Sequence, residues 1–311
     1  MTLPLPSPGR VRRQLATLRI EADQVDGDRL SRHREDLQAY AGSHARRLAR
    51  SLRLVAPVLP RRRRPPRILE LGAAPYFFSA LVQRYLGCSV TGVNVRAGAW
   101  PGNEGDPRES GVLLRQAGPD GGELACTLPV WVLNIEKDPF PFPDRSFDLV
   151  LFMETLEHLA YSPSHVLGEA GRVLHPKGAL FLSTPNAVDM VKSCKLMLNR
   201  PIAFPYSGYG VYGRHNREYT VGEIRELLAA CGFQVVRSRL ENPYVTLHPP
   251  TAYNLATTLL QLPTFLPLPL LGSKRQYIYV TARPGDRIRA SYPEKLYLFP
   301  DLYSPPAGEP C

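Results

Sequence analysis

The sequence lacks the features of a secreted or membrane-spanning protein. Its five cysteines are odd in number and never form a Cys-x-x-Cys pair, so neither a disulfide framework nor a cysteine-rich zinc site is indicated. There is no uninterrupted apolar run of the roughly 18 residues that a spanning helix needs. No apolar segment follows a basic N-terminus. These absences predict a cytoplasmic protein without a secretory signal.

Acidic residues and lysines are scarce. The chain has 28 acidic and 38 basic residues, a net charge of +10, and six of the basic residues are lysines while 32 are arginines. Such an excess is typical of proteins that meet an anionic partner, such as nucleic acid, a phosphorylated substrate or a membrane surface. The 32 prolines beside the 32 arginines favour a simpler cause, a bias toward GC-rich codons. Because 44% of the 311 residues are apolar, wholesale disorder is excluded.

Apolar residues recur at helical spacing between residues 10 and 57, which predicts amphipathic helices. A proline-flanked run of four arginines follows, Arg61 to Arg64. We interpret this run as a solvated linker, with an anion or lipid-headgroup contact as the alternative. Residues 1–66 are therefore predicted to form an N-terminal helical extension that ends in an arginine- and proline-rich linker.

From residue 67 onward, short apolar runs alternate with helical patterns, which is typical of βαβ units. We expect an α/β domain over residues 67–286, with a doubly wound, seven-stranded, mostly parallel sheet of Rossmann-like type, and a tail at 287–311. The predicted strands are Ile68–Leu71, Val90–Val95, Val130–Ile135, Phe147–Met153, Ala179–Ser183, Phe233–Leu240 and Tyr277–Ala282. The predicted helices are Phe77–Leu86, Ser164–Leu174 and Val221–Cys231, the last preceded by a capping box of Thr220 and Glu223 and ended by Gly232.

Three long stretches do not follow this alternation. Residues 96–129 are rich in glycine, proline and charge, and residues 187–219 contain aromatic residues and prolines without a clear period. Residues 243–274 are too apolar for a solvated loop. We interpret this last insertion as a lid over a binding site, with a dimer contact or a peripheral membrane contact as alternatives.

The segments that carry chemistry stand where predicted strands end. In an open α/β sheet, ligands bind at the carboxyl ends of the strands, where a glycine turn lets the backbone approach them. The segments are residues 67–75 (RILELGAAP), 134–143 (NIEKDPFPFP), 146–159 (SFDLVLFMETLEHL) and 176–186 (PKGALFLSTPN). In order and spacing they resemble the class I S-adenosylmethionine-dependent methyltransferases over about residues 67–240.

This resemblance implies S-adenosylmethionine as the cofactor. Glu70 and Gly72 match the acid and the glycine of the family's first motif, and Asn94 stands where the family usually has an acid that accepts from the ribose hydroxyls. Asn134 or Glu136 matches the position that contacts the adenine. The implied cofactor-binding residues are Glu70, Gly72, Ala74, Asn94, Asn134, Ile135, Glu136 and Met153. The sequence departs from the family in its reduced glycine pattern and in the uncharged ribose position.

The segment from Glu154 to His158, ETLEH, follows the fourth predicted strand. At the start of a helix, residues three and four apart share a face, so Glu154, Glu157 and His158 can converge on a metal such as Mg²⁺, Mn²⁺, Fe²⁺ or Zn²⁺. The pattern is similar to the metal motif of ubiquinone-biosynthesis O-methyltransferases and of small-RNA 3′-terminal 2′-O-methyltransferases. The resemblance to the latter makes His215 the fourth candidate ligand. The alternative is a metal-free site in which His158 caps the helix or serves as a base.

Methyl transfer to an alcohol requires a base, or a metal that lowers the pKa of the hydroxyl. We therefore expect methylation of a hydroxyl on a small molecule or a glycan, with His158, His215 and Glu154 as catalytic residues. Two alternatives remain. The net charge, the run from Arg61 to Arg64 and the resemblance at His215 suggest an RNA 2′-O-methyltransferase, with nucleic acid as its partner. The altered glycine turn and Asn94 suggest a catalytically inactive cofactor-binding scaffold.

Overall fold

The computed structural model describes residues 4–22, 34–60, 64–95, 107–117, 123–203, 206, 211–245 and 252–298. Within these residues one mixed sheet holds nine strands. The strands are β1 (Arg19–Ala22), β2 (Arg67–Leu71), β3 (Ser89–Asn94), β4 (Arg108–Ala117), β5 (Glu123–Val132), β6 (Phe147–Met153), β7 (Leu174–Pro185), β8 (Phe233–Glu241) and β9 (Tyr277–Pro284). The helices are α1 (Pro8–Ala16), α2 (Arg34–Val55), α3 (Phe77–Leu86), α4 (Pro163–Val173), α5 (Met190–Met197), α6 (Val221–Ala230), α7 (Ala252–Gln261) and α8 (Pro269–Gly272). Short 3₁₀ helices lie at Ala56–Val58, Leu156–His158, Val211–Gly213 and Leu262–Phe265.

The strand order is β1-β4-β5-β3-β2-β6-β7-β9-β8. Neighbouring strands are parallel from β5 to β7, whereas β9 lies antiparallel between β7 and β8. Parallel neighbours require crossover connections, and α3 and α4 supply two of them. Because β7 and β8 both run antiparallel to β9, the carboxyl ends of β2, β3, β5, β6, β7 and β8 lie at one edge of the sheet. We call this edge the carboxyl edge.

The expected α/β class is confirmed and each of the seven predicted strands forms, but the sheet has two more strands than predicted, and four of its eight neighbouring strand pairs are antiparallel. β1 lies in the N-terminal segment for which the sequence predicts only helices, and β4 lies in residues 96–129, for which it predicts no element. β5 also begins earlier than predicted, at Glu123. In β4, Val112 and Leu114 are buried in alternation, but neighbouring charged and small residues conceal this period of two in the sequence.

Both faces of the sheet are covered, so its central strands are apolar in successive residues. In β2, Ile68 belongs to the core on the face covered by α1, α2 and α3, whereas Leu69 belongs to the core on the face covered by α4 and α6. Leu52 of α2 is fully buried in the first of these cores. The N-terminal helix α2 therefore packs on the same face of the sheet as α3.

The arginine run between α2 and β2 is described only at its last member. Residues 61–63 lie outside the described residues. The guanidinium of Arg64 pairs with the buried carboxylate of Asp148, with 3.0 Å between Nη1 and Oδ2. Asp148 also accepts a hydrogen bond from the backbone N–H of Arg67 at 2.9 Å. Arg64 therefore anchors the start of β2 to β6.

Helix α6 has the ends that the sequence predicts. Thr220 and Glu223 form the reciprocal capping box at its start. Gly232 follows its end with a φ of +88°, in the left-handed region that favours glycine. A Cβ at Gly232 would lie 1.9 Å from the carbonyl oxygen of Arg287. Both the backbone conformation and this carbonyl therefore require glycine here.

Gly232→Ala should lower the free energy of unfolding by at least about 2 kcal/mol, because the added methyl meets both a left-handed backbone and a fixed carbonyl. Gly87→Ala is the matched control. Gly87 has a φ of +63°, but no atom of the described residues lies within 4 Å of its Cβ position. That variant should lose only about 1 kcal/mol. Chemical denaturation measures both values, and equal losses would contradict the steric role of the Arg287 carbonyl.

Candidate functional site

The turn that follows β2 is tightly packed at the carboxyl edge. Gly72 has a φ of +68°, and a Cβ there would lie 2.3 Å from the hydroxyl oxygen of Thr155. This hydroxyl lies 3.1 Å from the carbonyl oxygen of Leu71 and 2.9 Å from that of Met153. Thr155 therefore bridges the ends of β2 and β6, and the turn between them accommodates only glycine at position 72.

The rest of this turn leads into α3. The N–H of Ala73 donates to the carbonyl oxygen of Val93 at 3.0 Å, which ties the turn to β3. Ala74 and Pro75 are joined by a cis peptide bond, and the buried Tyr76 precedes the helix with a φ of +64°. The first motif thus keeps one glycine, Gly72. The turn after it ends in an aromatic residue, Tyr76, rather than in a further glycine.

Glu70, the predicted acid of the first motif, is buried beneath α3. Its carboxylate accepts a hydrogen bond from the hydroxyl of Ser79. Burial raises the pKa of Glu70 to about 7, although the bond from Ser79 favours the charged form. Burial thus opposes the negative charge of this carboxyl, and a nearby cation would favour the carboxylate.

Asn94 ends β3, and Asn134 lies just beyond the neighbouring strand β5. The carbonyl oxygen of Asn94 accepts from the N–H of Leu133 at 3.0 Å, which keeps the two strand ends side by side. The buried amide of Asn134 donates to the hydroxyl of Tyr212 and accepts from the N–H of Glu136, both at 3.0 Å. Asn134 therefore stabilises its own turn and the segment that carries Tyr212.

Glu136 and Ile135 lie in the same turn, and both are buried. The carboxylate of Glu136 accepts from the N–H groups of Ala160 and Tyr161, at 2.9 and 2.6 Å. Burial raises the pKa of Glu136 despite these bonds. The turn after β5 thus braces the segment that leads into α4, and a contact of these side chains with adenine stays a prediction.

Glu157, His158 and His215 come together beyond the end of β6. One carboxylate oxygen and one nitrogen of each imidazole lie within 4.8 Å of one another, a spacing that is able to hold a metal ion. The two imidazole rings are 4.9 Å apart between centroids and nearly perpendicular, at 87°. The structure therefore assembles three of the four residues that the sequence analysis predicts as ligands.

Two polar atoms of this cluster, Glu157 Oε1 and His158 Nδ1, are buried without a hydrogen-bond partner among the described residues. The other carboxylate oxygen of Glu157 accepts from the hydroxyl of Thr184 at 2.9 Å. Burial, and then the neighbouring carboxylate of Glu154, raise the pKa of Glu157 well above its ordinary value. Burial, and then His215, lower the pKa of His158 to about 4. Buried polar atoms without partners are costly, so a metal ion, a water or another ligand bound between these two atoms would be stabilising.

Glu218 orients the imidazole of His215. Nδ1 of His215 lies 2.9 Å from Oε1 of Glu218, and the other oxygen of that carboxylate pairs with Lys192. The tautomer that donates from Nδ1 carries its lone pair on Nε2. Histidines that bind metals or act as bases commonly have such a carboxylate behind them, because it fixes both the tautomer and the ring orientation.

Asn216 attaches the segment that carries His215 to the 3₁₀ helix Leu156–His158. Its N–H donates to the carbonyl oxygen of Glu157 at 2.7 Å, and its side-chain amide donates to the carbonyl oxygen of His158 at 2.9 Å. Sequence reasoning does not find Asn216 or Glu218. A hydrogen bond between segments that are distant in the chain leaves no local pattern from which it can be recognised.

Glu154 takes a different direction from the rest of its motif. It has a φ of +50°, and the 3₁₀ helix begins only at Leu156. Its Oε1 accepts from the hydroxyl of Ser183 at 2.7 Å, and its Oε2 lies 3.4 Å from Nη1 of Arg47. The shared helical face that the sequence analysis expects over this motif therefore does not form, and the part of Glu154 as a metal ligand stays a prediction.

Arg47 of α2 is buried among phenols, at the side of the site. Its Nε donates to the hydroxyl of Tyr244 at 3.1 Å and its Nη2 to the hydroxyl of Tyr40 at 3.0 Å. The guanidinium lies 5.9 Å from the ring centroid of Tyr277. Burial alone lowers the pKa of an arginine, but the attraction of Glu154 and of the phenols raises that of Arg47 above its ordinary value. A charged guanidinium is therefore fixed beside the end of β6.

His44 lies one turn before Arg47, and its Nδ1 contacts the hydroxyl of Tyr244. Burial, and then Arg47, lower the pKa of His44 from 6.5 to about 3. Between these values the unfolded chain takes up a proton that the folded chain does not, so the stabilisation is present above pH 6.5 and is lost as the pH falls toward 3. We expect His44 to contribute a loss of up to about 1.4 kcal/mol per pH unit.

Urea denaturation between neutral and mildly acidic pH measures this loss. His44→Gln should make the dependence of the unfolding free energy on pH shallower, because it removes one group that titrates differently in the two states. His175→Gln, which removes an imidazole at the amino end of β7, is the control for the loss of a histidine as such. If the slope of His44→Gln equals that of the unmodified protein, the assignment to His44 is wrong.

Comparison with known proteins adds a family match. A family model described as a methyltransferase domain matches residues 40–238. The chain is 34% identical over 95 residues to a protein of Mycolicibacterium smegmatis named a probable S-adenosylmethionine-dependent methyltransferase, a region that covers 30% of this chain and 32% of that protein. A protein of Mycobacterium tuberculosis with the same kind of name is 30% identical over 104 residues, which cover 33% of each chain. The matched region thus spans about a third of the length of these relatives.

Solved structures resemble the chain at lower identity. A methyltransferase from Archaeoglobus fulgidus, described as dependent on S-adenosylmethionine, is 14% identical with a TM-score of 0.49, covering 81% of this chain and 99% of that one. One from Mesorhizobium loti is 18% identical with a TM-score of 0.44, covering 76% of this chain and 96% of that one. Similarity at this level says nothing about the reaction.

Proposed function

This chain belongs to the class I S-adenosylmethionine-dependent methyltransferases, and we propose that it transfers the methyl group of S-adenosylmethionine to a hydroxyl oxygen of a small molecule or a glycan. The observation that carries this proposal is the cluster of Glu157, His158 and His215 beyond the end of β6. An alcohol keeps its proton at neutral pH, so its methylation needs a base or a metal at the reacting oxygen. The cluster offers groups of both kinds.

The proposed cofactor site lies at the carboxyl edge, between the Gly72 turn and the ends of β3 and β5. Its groups fit S-adenosylmethionine in kind. Glu70 is a buried carboxyl whose pKa of about 7 indicates a site that a cation would stabilise, and Asn94 and Asn134 offer amides to hydroxyls and a base. Asn94 would hold a ribose through neutral hydrogen bonds, which are weaker than those of a carboxylate. When bound, the cofactor supplies a methyl group activated on a positively charged sulfur.

Without a metal, His158 is the proposed base. Burial and then His215 lower its pKa, which keeps the imidazole neutral with a lone pair for the proton of a hydroxyl, although the same shift makes the ring a weaker base. His215 stands against it with a ring orientation that Glu218 fixes. The remaining task of the chain is to align the acceptor oxygen with the methyl group, since positioning lowers the barrier without any covalent step on the protein.

A divalent cation fits the same three residues. Glu157 Oε1 and His158 Nδ1 are buried without a hydrogen-bond partner in the part of the chain that the structure describes, and a metal would satisfy both. One carboxylate oxygen and two imidazole nitrogens suit Mn²⁺, Fe²⁺ or Zn²⁺ better than Mg²⁺, which prefers oxygen. Such a cation would lower the pKa of an acceptor hydroxyl.

We favour a small molecule or a glycan over RNA as the acceptor. The RNA alternative draws on the arginine run before β2, and the one member of that run that the structure describes, Arg64, is bound to the buried carboxylate of Asp148. The net charge alone is also explained by the composition of the chain.

Calorimetric titration with S-adenosylhomocysteine tests the cofactor site, and we expect micromolar affinity, about −8 kcal/mol. Transfer of a labelled methyl group to a set of phenols, sugars and aliphatic alcohols, in chelator and with added Mn²⁺, Fe²⁺ or Zn²⁺, then tests the acceptor. Transfer to oxygen supports the proposal. Transfer only to nitrogen or carbon overturns it, and an absence of S-adenosylhomocysteine binding would favour the scaffold alternative.

A further inference from the structure

Helix α7 has its polar and apolar sides reversed. It lies in the apolar insertion 243–274, and two of its polar residues, Thr258 and Gln261, are buried against the protein. Leu255 and Leu259, one turn apart, are instead about half exposed, at 47% and 55%. A helix on the surface of a water-soluble protein normally presents the opposite arrangement. The outer side of α7 is therefore suited to an apolar environment rather than to water.

Hydrogen bonds fix this reversed orientation. The side-chain amide of Gln261 lies 3.5 Å from a carboxylate oxygen of Asp189, the residue that caps α5. The hydroxyl of Thr264 donates to the carbonyl of Gln261 at 2.6 Å and accepts from the amide of Asn242 at 2.7 Å. The side-chain oxygen of Gln261, Oε1, is buried without a hydrogen-bond partner among the described residues. The contact with Asp189 therefore holds this side of α7 against the protein.

The exposed apolar side chains form one surface, which we call the leucine surface. It comprises the outer sides of α7, of the 3₁₀ helix Leu262–Phe265 and of α8, together with the end of α5. Helices α5 and α7 pack against each other, and the N–H of Met190 donates to the carbonyl of Lys274 at 2.8 Å. The members are Leu196, Met197, Leu198, Leu255, Leu259, Leu260, Leu262, Phe265, Leu266, Leu268 and Leu270.

The charged side chains of the elements that build this surface are basic, apart from Asp189, which caps α5 and is buried in an ion pair with Lys192. Residues 190–217 and 242–285 contain no aspartate or glutamate. Lys195 and Arg200 flank the exposed end of α5, and Lys274 follows α8. An apolar surface bordered by cations complements the interface of a bilayer whose headgroups are anionic. A second copy of the chain fits less well, because a two-fold contact would bring the same cations together.

We propose that the leucine surface docks on an anionic lipid bilayer, with the apolar side chains among the upper parts of the acyl chains and the basic residues at the headgroups. Among the described residues, no helix is long and apolar enough to cross a membrane, so this contact is an interfacial one. The docking itself does not depend on the reaction. It requires only the exposed apolar side chains and their basic border.

The position of the leucine surface adds a consequence for the acceptor, and this consequence rests on the proposed function. Helix α5 follows β7, and α7 follows β8, so the elements of the leucine surface leave the sheet at the same carboxyl edge as Glu157 and the histidines. A docked chain would therefore meet acceptors that are held in the bilayer. This favours a hydroxyl on a lipid-anchored molecule as the acceptor class.

Co-sedimentation of the full chain with vesicles tests the docking. Vesicles of phosphatidylcholine alone are compared with vesicles that also contain phosphatidylglycerol. The double variant Met197→Glu and Leu270→Glu changes two of the most exposed members, at 78% and 74%, so the substitutions should lower the free energy of unfolding only slightly. Leu298→Glu is the matched control, since Leu298 is 77% exposed outside the leucine surface. We expect the unmodified chain and the control to bind the anionic vesicles, and the double variant to bind at least about tenfold less.

Three results would overturn the docking. They are no binding of the unmodified chain to anionic vesicles, equal binding of the double variant, and a dimer in analytical ultracentrifugation that the double variant converts to monomer. Titration with S-adenosylhomocysteine separates this test from the proposed function. All three proteins should bind it alike, because none of the substitutions lies at the cofactor site. Vesicle binding without S-adenosylhomocysteine binding would retain the docking and reject the methyl transfer.

Discussion

His158→Ala lowers kcat/KM for methyl transfer by about 10²- to 10⁴-fold, which is the usual contribution of a positioned acid–base group. The affinity for S-adenosylhomocysteine should stay unchanged, because in the proposed site His158 contacts the acceptor and not the cofactor. The physical reason is the buried Nδ1, which has no hydrogen-bond partner among the described residues and stands against His215. Steady-state kinetics and calorimetry on the same preparation measure the two quantities.

The matched control for this substitution is His165→Ala. His165 lies in α4 and its Nε2 bonds to the carbonyl oxygen of Asp138 at 3.0 Å, so its loss removes an imidazole without touching the cluster. Rescue of His158→Ala by added imidazole identifies a base. If His158→Ala lowers the bound metal and imidazole does not restore activity, His158 is a metal ligand. Equal activity of the two alanine variants would remove the cluster from the reaction.

Arg47→Met lowers the free energy of unfolding by about 3 to 5 kcal/mol, because it leaves the carboxylate of Glu154 without its cation in a poorly hydrated place. The side chains of Arg47 and Glu154 are only 4% and 16% exposed, and the guanidinium also serves two phenol hydroxyls. Chemical denaturation measures the loss. A double-mutant cycle with Glu154→Gln isolates the coupling between the two charges, because Glu154→Gln removes the carboxylate that Arg47→Met leaves without its cation.

Arg50→Met is the control on the same helix. Arg50 pairs with Glu241, but its side chain is 35% exposed, so water replaces most of what the pair provides. Its loss should be about 1 kcal/mol or less. If the two arginine variants lose the same free energy of unfolding, burial does not strengthen the pair of Arg47 and Glu154. The pair then contributes no more than a solvent-exposed ion pair.

The sequence predicts the strands of the sheet best where burial is complete. In β6 every residue from Phe147 to Met153 is buried and all but Asp148 are apolar, so the strand is visible without any structure. β1 and β4 escape prediction because they lie at the margin of the sheet. There only one face is covered, and charged and small residues interrupt the alternation.

In the candidate site, too, the sequence predicts some residues and misses others. Glu157, His158 and His215 are predicted as neighbours from a local motif and a resemblance, and the structure brings them together. Glu154 departs from the predicted helical face because one left-handed residue redirects its side chain. Arg47 is not predicted at all, since it reaches the end of β6 only through the packing of α2 on the sheet. Residues of a local motif can therefore be predicted from the sequence, whereas partners that only tertiary packing brings close cannot.

The two hydrogen bonds of Asn216 to Glu157 and His158 make the histidine pair an assembly of two separable parts. His215 belongs to a short segment outside the sheet, and such a segment opens at a lower free energy than the whole fold. While it is open, His158 stands alone although every strand remains paired. The fraction of molecules with a complete histidine pair is thus set by this local equilibrium. On heating, we expect His215 to separate from His158 before the sheet melts, so the temperature at which the pair is lost and the melting temperature of the sheet are two separate quantities.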